Sequence, residues 1–205
     1  MLILLTGASG FLGSALRRRM LESSDCRIRL AARRPIAVND SSALEQFFGL
    51  TLSETTDWSG ALEGVDTVIH CAARVHVMNE QAADPLAEFR LANVLGTLRL
   101  ARQAAAAGVK RFIFISSIKV NGESTAPDQQ FLASDTPAPE DAYGQSKFEA
   151  EQGLLALAQE TGMEVVIIRP PLIYGPGVKG NFASMIRLVD KGLPLPLGAI
   201  HNRRS

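Results

Sequence analysis

The chain has 205 residues, 46% of them apolar and 20% charged, a composition that excludes a disordered, fibrous or membrane-embedded polypeptide and allows one large α/β domain with the start of a second. Its 21 basic and 21 acidic side chains cancel, which leaves no global field to draw in nucleic acid or an anionic membrane. Cys26 and Cys71 lie far apart without CxxC spacing, so neither a disulfide framework nor a zinc site is expected, and a reducing cytoplasm fits best.

In chain order, the apolar run Leu2–Leu5 ends in Thr6-Gly7; it is too short for a signal-peptide core and predicts a first strand. Phe11–Leu21 has helical spacing with Arg17, Arg18 and Arg19 on the wet side. Ile28–Ala32 predicts a second strand, closed by Arg33-Arg34-Pro35. Val65–Cys71 predicts a third, and Leu86–Ala107 a long helix stopped by Gly108. Arg111–Ser116 reads as strand, Ala142–Thr161 as a helix ended by Gly162, and Val165–Arg169 as a strand stopped by Pro170-Pro171. Repeated strand and helix predict a doubly wound parallel sheet covered on both faces. Between Asn121 and Asp141 the Pro-, Asp-, Ser- and Thr-rich composition predicts a loop able to order over a ligand. Past Pro171 the pattern changes: glycines and Pro176 precede a short helix over Phe182–Val189, which sets a domain boundary near Tyr174, between 1–174 and 175–205.

The first strand-to-helix turn reads Thr6-Gly7-Ala8-Ser9-Gly10-Phe11-Leu12-Gly13. Gly7 can take a positive φ, Gly10 lets backbone N–H groups approach a pyrophosphate, and Gly13 lets the helix pack close to the strand, while the helix N-terminus stabilises the anion. A glycine triplet alone is often an ordinary turn, but its place in the first turn of a βαβ unit is the context a Rossmann-type dinucleotide site requires. Gly7, Ser9, Gly10, Phe11, Leu12 and Gly13 are therefore candidate cofactor-binding residues. At the end of strand two no acid is present to accept ribose hydroxyls; Arg33 and Arg34 stand there instead, and an arginine can pair with a 2′-phosphate. NADP(H) is accordingly preferred over NAD(H), against the plainer alternative of two arginines facing water.

Tyr143 and Lys147 lie four apart at the start of a helix and share a face, so the phenol and the ammonium can meet one ligand. A phenol acting as a base near neutrality needs its pKa lowered by about 3 units, and a unit charge about 4 Å away supplies roughly that. Just upstream, the strand ending in Ser116-Ser117 puts a hydroxyl at the carboxyl end of a parallel strand, where such folds bind ligands. Tyr-x-x-x-Lys and a strand-end serine are each common by chance; their order behind the glycine turn is not.

Six blocks, TGASGFLG, VIHCAAR, NVLGT, SSIKVNG, YGQSK and RPPLIYGPG, resemble in that order the extended short-chain dehydrogenase/reductase superfamily, in particular its nucleotide-sugar epimerases, dehydratases and 4-keto reductases. The resemblance implies Ser117, Tyr143 and Lys147 as catalytic residues, with Tyr143 and Lys147 also touching the cofactor. It implies that Ala72, Ala73 and Arg74 line the cofactor, that Asn93 supports the site beside it, and that Thr51 and Leu52 fall near the adenine, where the family often has an acid. Pro170 and Leu172 resemble the segment beside the nicotinamide. Ser117, Asn121 (in place of the usual tyrosine), Asn181, Leu195 and Arg204 resemble substrate-binding positions, Arg204 being apt for a diphosphate. The tail, GNFASMIRL followed by LPLPLGAIHNRRS, looks most like UDP-sugar 4-epimerases and UDP-4-keto-sugar reductases of surface-polysaccharide synthesis. Full-length members continue for roughly another domain, so the chain is expected to stop inside its substrate-binding half.

The expected chemistry is hydride transfer at the sugar C4, with Tyr143 moving the proton, Ser117 holding the same oxygen and Lys147 lowering the phenol pKa while positioning the ribose. Epimerase and reductase remain alternatives, as do a noncatalytic dinucleotide-binding module or truncated product and a reductase of a steroid- or flavonoid-type ketone. The resemblance also implies a homodimer through the helices bearing Asn93 and Tyr143. His70, His76 and His201 lack metal-ligand spacing and read as structural or loop residues; Trp58 reads as packing.

Overall fold

The computed structural model of the chain describes residues 1–22, 26–37, 43–75, 84–126, 128–178 and 180–192. Two compact units divide it, Met1–Pro170 and Pro171–Ser205. In the first, β1 (Leu2–Thr6) leads through the glycine turn into α1 (Phe11–Leu21), followed by β2 (Arg27–Ala32), β3 (Leu44–Phe48), the single turn α2 (Ser59–Leu62) and β4 (Thr67–His70). Then come α3 (Pro85–Phe89), a π-helical stretch Arg90–Gly96, α4 (Thr97–Ala106), β5 (Arg111–Ile115), a 3₁₀ turn Ile118–Val120, α5 (Ala142–Thr161) and β6 (Glu164–Ile168). The second unit contributes α6 (Gly180–Asp190).

All six strands are parallel, in the order β3-β2-β1-β4-β5-β6. The doubly wound sheet expected from the alternation of apolar runs is therefore present. Because β1 pairs with both β2 and β4, strand order reverses there, and a crevice opens outside the carboxyl ends of those two strands. The central strands are largely apolar, as strands covered on both faces are: Leu4, Leu5, Ile28, Leu30, Val68, Phe112 and Phe114 are buried, and polar exceptions such as Thr6, Arg29 and His70 are hydrogen-bonded. One side packs on Leu62, Leu100, Ala104, Leu154 and Leu157, and the other on Ala8 with Met20 and Leu21 of α1.

Two elements depart from the sequence reading. The edge strand β3, Leu-Glu-Gln-Phe-Phe, has neither alternation nor β-branched residues. Tertiary partners hold it: it pairs along β2, Glu45 accepts from the buried Arg29 at 2.6 Å, and Gln46 exchanges two hydrogen bonds with the Ile36 backbone. The single long helix expected over Leu86–Ala107 is continuous but passes through the π stretch, where the side chains rotate relative to a regular α-helix. Asp84 caps its start by accepting from Ala87 N at 3.0 Å. For α5, Asp141 is the N-cap, and Gly162, at φ 75°, closes the C-terminus in the left-handed conformation.

Candidate active site

The glycine turn sits at the β1/β4 switch point. Gly7 has φ 70°, and a Cβ there would lie 2.6 Å from Ala72 N, so the turn rests directly on the chain leaving β4. A Cβ on Gly13 would lie 2.2 Å from the Gly7 carbonyl oxygen, which leaves no side chain between helix and turn. Gly10 closes the turn through its N–H to the Gly7 oxygen at 2.8 Å and begins α1 without any side-chain cap. Ser9, Gly10 and Phe11 are exposed, with Leu12 half-buried behind them. An uncapped, exposed helix N-terminus reached by a turn of small residues fits the phosphates of a dinucleotide.

A buried relay stiffens the floor of the crevice. His70, fully enclosed, lies between Thr6 Oγ1 at 2.7 Å and Thr97 Oγ1 at 3.0 Å, and Thr6 Oγ1 also accepts from Ala72 N at 3.3 Å. Burial first, and then the charge of Lys147, push its pKa down to about 3, so the imidazole is neutral and structural. From Cys71 to Arg74 the chain is half-buried along the crevice. Asn93 grips that segment: its oxygen accepts from Arg74 N at 2.8 Å, and its amide donates to the Arg74 carbonyl at 3.0 Å and to Ser146 Oγ at 3.0 Å. The π stretch turns Asn93 inward, and at 1% exposed it supports the site from behind. The Arg74 side chain runs to α3, 3.4 Å from Glu88 and over the Phe89 ring.

Ser117 and Ser116 point to different places. Ser116 is buried and donates to Glu151, whereas Ser117 is half-buried, caps the 3₁₀ turn and accepts from Lys119 N at 3.2 Å. On α5, Tyr143 packs edge-on against Phe89, with ring centroids 6.0 Å apart. Lys147 donates to the Ile115 carbonyl at 2.8 Å and lies 4.4 Å above the Phe114 ring, but 6.0 Å from the Tyr143 ring. Burial pushes the Lys147 pKa down to about 7, opposed by Cys71 and Glu151. The Tyr143 pKa is raised, by burial and then by Asp141, with Lys119 pulling the other way. In the chain without a bound cofactor, desolvation disfavours the Lys147 ammonium and the Tyr143 phenolate together. The glycine turn at the carboxyl end of β1 and Lys147, bonded at the carboxyl end of β5, lie on either side of β4. Cys71, which follows β4, has its backbone against Gly7, and burial pushes its thiol up to about 11, with the Lys147 charge pulling the other way.

Asn121, expected on the substrate side, is instead 5% exposed, with its oxygen accepting from Arg169 at 3.1 Å and its amide donating to the Leu132 carbonyl at 2.9 Å. It belongs to a buried network that the sequence reading missed, in which Arg169 grips Glu151 at 2.6 Å through a two-pronged contact and Ser116 joins the carboxylate. The spacing of Glu151 four residues beyond Lys147, on the same face of α5, was the available signal. Pro170 accepts from Ile118 N at 3.1 Å, tying the end of β6 to the serine turn. Leu52 backs onto Gly96 of the π stretch, while Thr51 is exposed, as are Arg33 and Arg34. Neither arginine forms an ion pair among the described residues. Leu172 and Asn181, the latter in the first turn of α6, belong to the second unit; Leu195, Arg204, His76 and His201 lie outside the described residues. No cluster of metal-ligating side chains, and no helix long and apolar enough to cross a membrane, occurs among the described residues.

The profile of the NAD dependent epimerase/dehydratase family matches residues 3–205. The chain belongs to this family. A family relative, UDP-glucose 4-epimerase of Vibrio cholerae, is 52% identical over 204 residues, which cover 99% of this chain and 61% of that protein. The 3 beta-hydroxysteroid dehydrogenase/Delta 5-->4-isomerase of Mycobacterium tuberculosis is 31% identical over 196 residues, 93% of this chain and 52% of the relative. Among solved structures, MoeE5 in complex with UDP-glucose and NAD is 31% identical with a TM-score of 0.76, covering 94% of this chain and 62% of the other. UDP-glucuronic acid 4-epimerase from Bacillus cereus in complex with NAD, at 23% identity and TM-score 0.79 over 95% of this chain and 65% of the other, shares the fold. The chain thus spans about three fifths of the length of the Vibrio cholerae relative and of MoeE5.

Proposed function

We propose that the chain carries the dinucleotide-binding and proton-transfer residues of a nucleotide-sugar oxidoreductase or epimerase acting at C4 of a UDP-linked sugar, in the making of surface-polysaccharide precursors. The observation that carries this reading is that the glycine turn, at the carboxyl end of β1, and Ser117 with the Ile115-bound Lys147, at the carboxyl end of β5, lie at the same end of the sheet with only β4 between them. Gly7, Ser9, Gly10, Phe11, Leu12 and Gly13 would hold the pyrophosphate, with Ala72, Ala73 and Arg74 along the other wall. Residues 1–174 then form the cofactor domain, and 175–205 begin the substrate-binding part.

A bound nicotinamide supplies the hydride donor or acceptor. In this chain Tyr143 moves the proton at the C4 oxygen, and Ser117 donates a hydrogen bond to the same oxygen. Lys147 spends one of its three donors on the Ile115 carbonyl, which leaves two for ribose hydroxyls. Near neutrality it is poised between its charged and neutral forms, so an anionic ligand in the crevice favours the ammonium and with it the phenolate. Asn181 and Arg204 would hold the substrate diphosphate. Exposed Arg33 and Arg34 at the end of β2 favour NADP(H) over NAD(H).

Assays with a UDP-sugar and a UDP-4-keto sugar separate the outcomes: stoichiometric loss of reduced cofactor marks a reductase, and interconversion without net loss marks an epimerase. Tyr143→Phe is expected to lower turnover by about 10²-fold or more while preserving cofactor affinity. Unchanged turnover removes Tyr143 as proton carrier. A ketone-reductase reading has the similarity to the steroid dehydrogenase in its favour, and turnover of a steroid ketone in preference to the UDP-sugars would replace the sugar assignment.

A further inference from the structure

Outside these residues, a second set of side chains joins the serine turn to the start of α5. Lys119 Nζ donates to Asp141 Oδ2 at 2.5 Å and to Glu123 Oε1 at 2.8 Å. The other Asp141 oxygen accepts from Gly144 N at 2.6 Å as the helix cap. A Cβ on Gly144 would lie 2.9 Å from the Lys119 carbonyl oxygen, so the backbones of the two segments are in contact. Lys119 N meanwhile donates to Ser117 Oγ. Residues that lie more than twenty positions apart in sequence thus form a single block, with Ser117 at one end and Tyr143 at the other.

We propose that Lys119 and Asp141 are positioning residues for Ser117 and Tyr143: their ion pair docks the serine turn on the first turn of α5 and sets the local charge that the phenol meets. The inference deepens the proton-transfer reading and rests on it. Both side chains are more than a third exposed, so the pair adds little to global stability and its effect is local. Asp141 raises the phenol pKa and Lys119 lowers it, so the two oppose each other at one ring. Among the described residues, further charges near that ring include Lys147 on its own helix, Glu123 beyond Lys119, and Arg74 with Glu88 behind the Phe89 ring. With the pair intact the two charges offset each other at the phenol; removing one member shifts that balance toward the other.

The sequence holds two tyrosines, Tyr143 and Tyr174, so a Tyr174→Phe chain leaves one phenol whose ionisation is read directly by ultraviolet absorbance. In that background Asp141→Asn, which keeps the cap because Asn caps as well as Asp, is expected to move ionisation of Tyr143 to lower pH. Lys119→Met is expected to move it to higher pH, and Lys119→Arg to return it toward the parent value. Turnover of a UDP-sugar by Lys119→Met is expected to fall about 10-fold, with the alkaline limb of the pH profile displaced in the direction of the phenol. A phenol that ionises at the same pH in the parent and in Asp141→Asn overturns the inference, and that comparison decides it even if Lys119→Met fails to fold. Undiminished turnover in Tyr143→Phe overturns the proton-carrier reading separately, because the phenol titration requires neither substrate nor cofactor.

Discussion

Among the described residues, Lys147 and His70 are buried groups whose protonation is strongly displaced, and both cost stability as pH falls. The folded chain holds Lys147 at about 7, against 10.5 when unfolded, so the unfolded state binds more protons throughout that interval. The stability contribution is whole above 10.5 and is lost as pH falls toward 7, so at neutrality the buried amine is a burden. Lys147→Met is therefore expected to stabilise the ligand-free chain by about 1–3 kcal/mol at pH 7, net of the hydrogen bond lost to Ile115, while abolishing turnover; urea unfolding beside an activity assay checks both. His70 behaves alike over a lower window, from 6.5 down to about 3. Each pH unit below 6.5 is expected to remove about 1.4 kcal/mol from this residue's contribution. His70→Gln, which can still bond Thr6 and Thr97 but does not titrate, should flatten that slope in urea unfolding measured from pH 7 to pH 4.

At the level of elements, the ends of β5 and β6 are joined to the middle of α5 through Glu151 and Arg169, whose side chains are 1% and 18% exposed. Paired and hydrogen-bonded with Ser116 and Asn121, these charges are satisfied; separated, either one is left in a low-dielectric interior. Glu151→Ala is expected to destabilise the chain by about 3–5 kcal/mol, and adding Arg169→Met with Glu151→Leu to recover most of that loss, as chemical denaturation of the three proteins would record. An additive double variant would show that the pair is not coupled. The π stretch is an element-level device of a different kind: it brings Asn93 onto Arg74 and Ser146, and lets Gly96 sit against Leu52.

For the molecule as a whole, the switch-point crevice lies within Met1–Pro170, so cofactor binding is expected of the 205-residue chain itself. NADPH at about 100 times its dissociation constant should add about 2.7 kcal/mol to stability and raise the melting temperature accordingly. Replacing Arg33 and Arg34 with Ala should reduce the NADPH shift and leave the NADH shift unchanged, as a thermal-shift titration would show. Equal loss with both cofactors would place the arginines elsewhere than at a 2′-phosphate.

The periodicity of apolar runs sufficed for the parallel doubly wound sheet, because a strand covered on both faces is built from a near-continuous apolar run and its helix follows in sequence. The glycine turn was equally legible, since positive φ and contact with Ala72 leave no room for a side chain at Gly7. What sequence alone could not decide rests on partners distant along the chain. An edge strand without alternation or β-branched residues forms on β2, Asn121 turns away toward Arg169, and the docking of Lys119 on Asp141 unites two segments. Proton affinity belongs to the same class. Tyr143 and Lys147 share a helix face by spacing, yet their pKa values follow from desolvation, which exists only once the chain has packed around them.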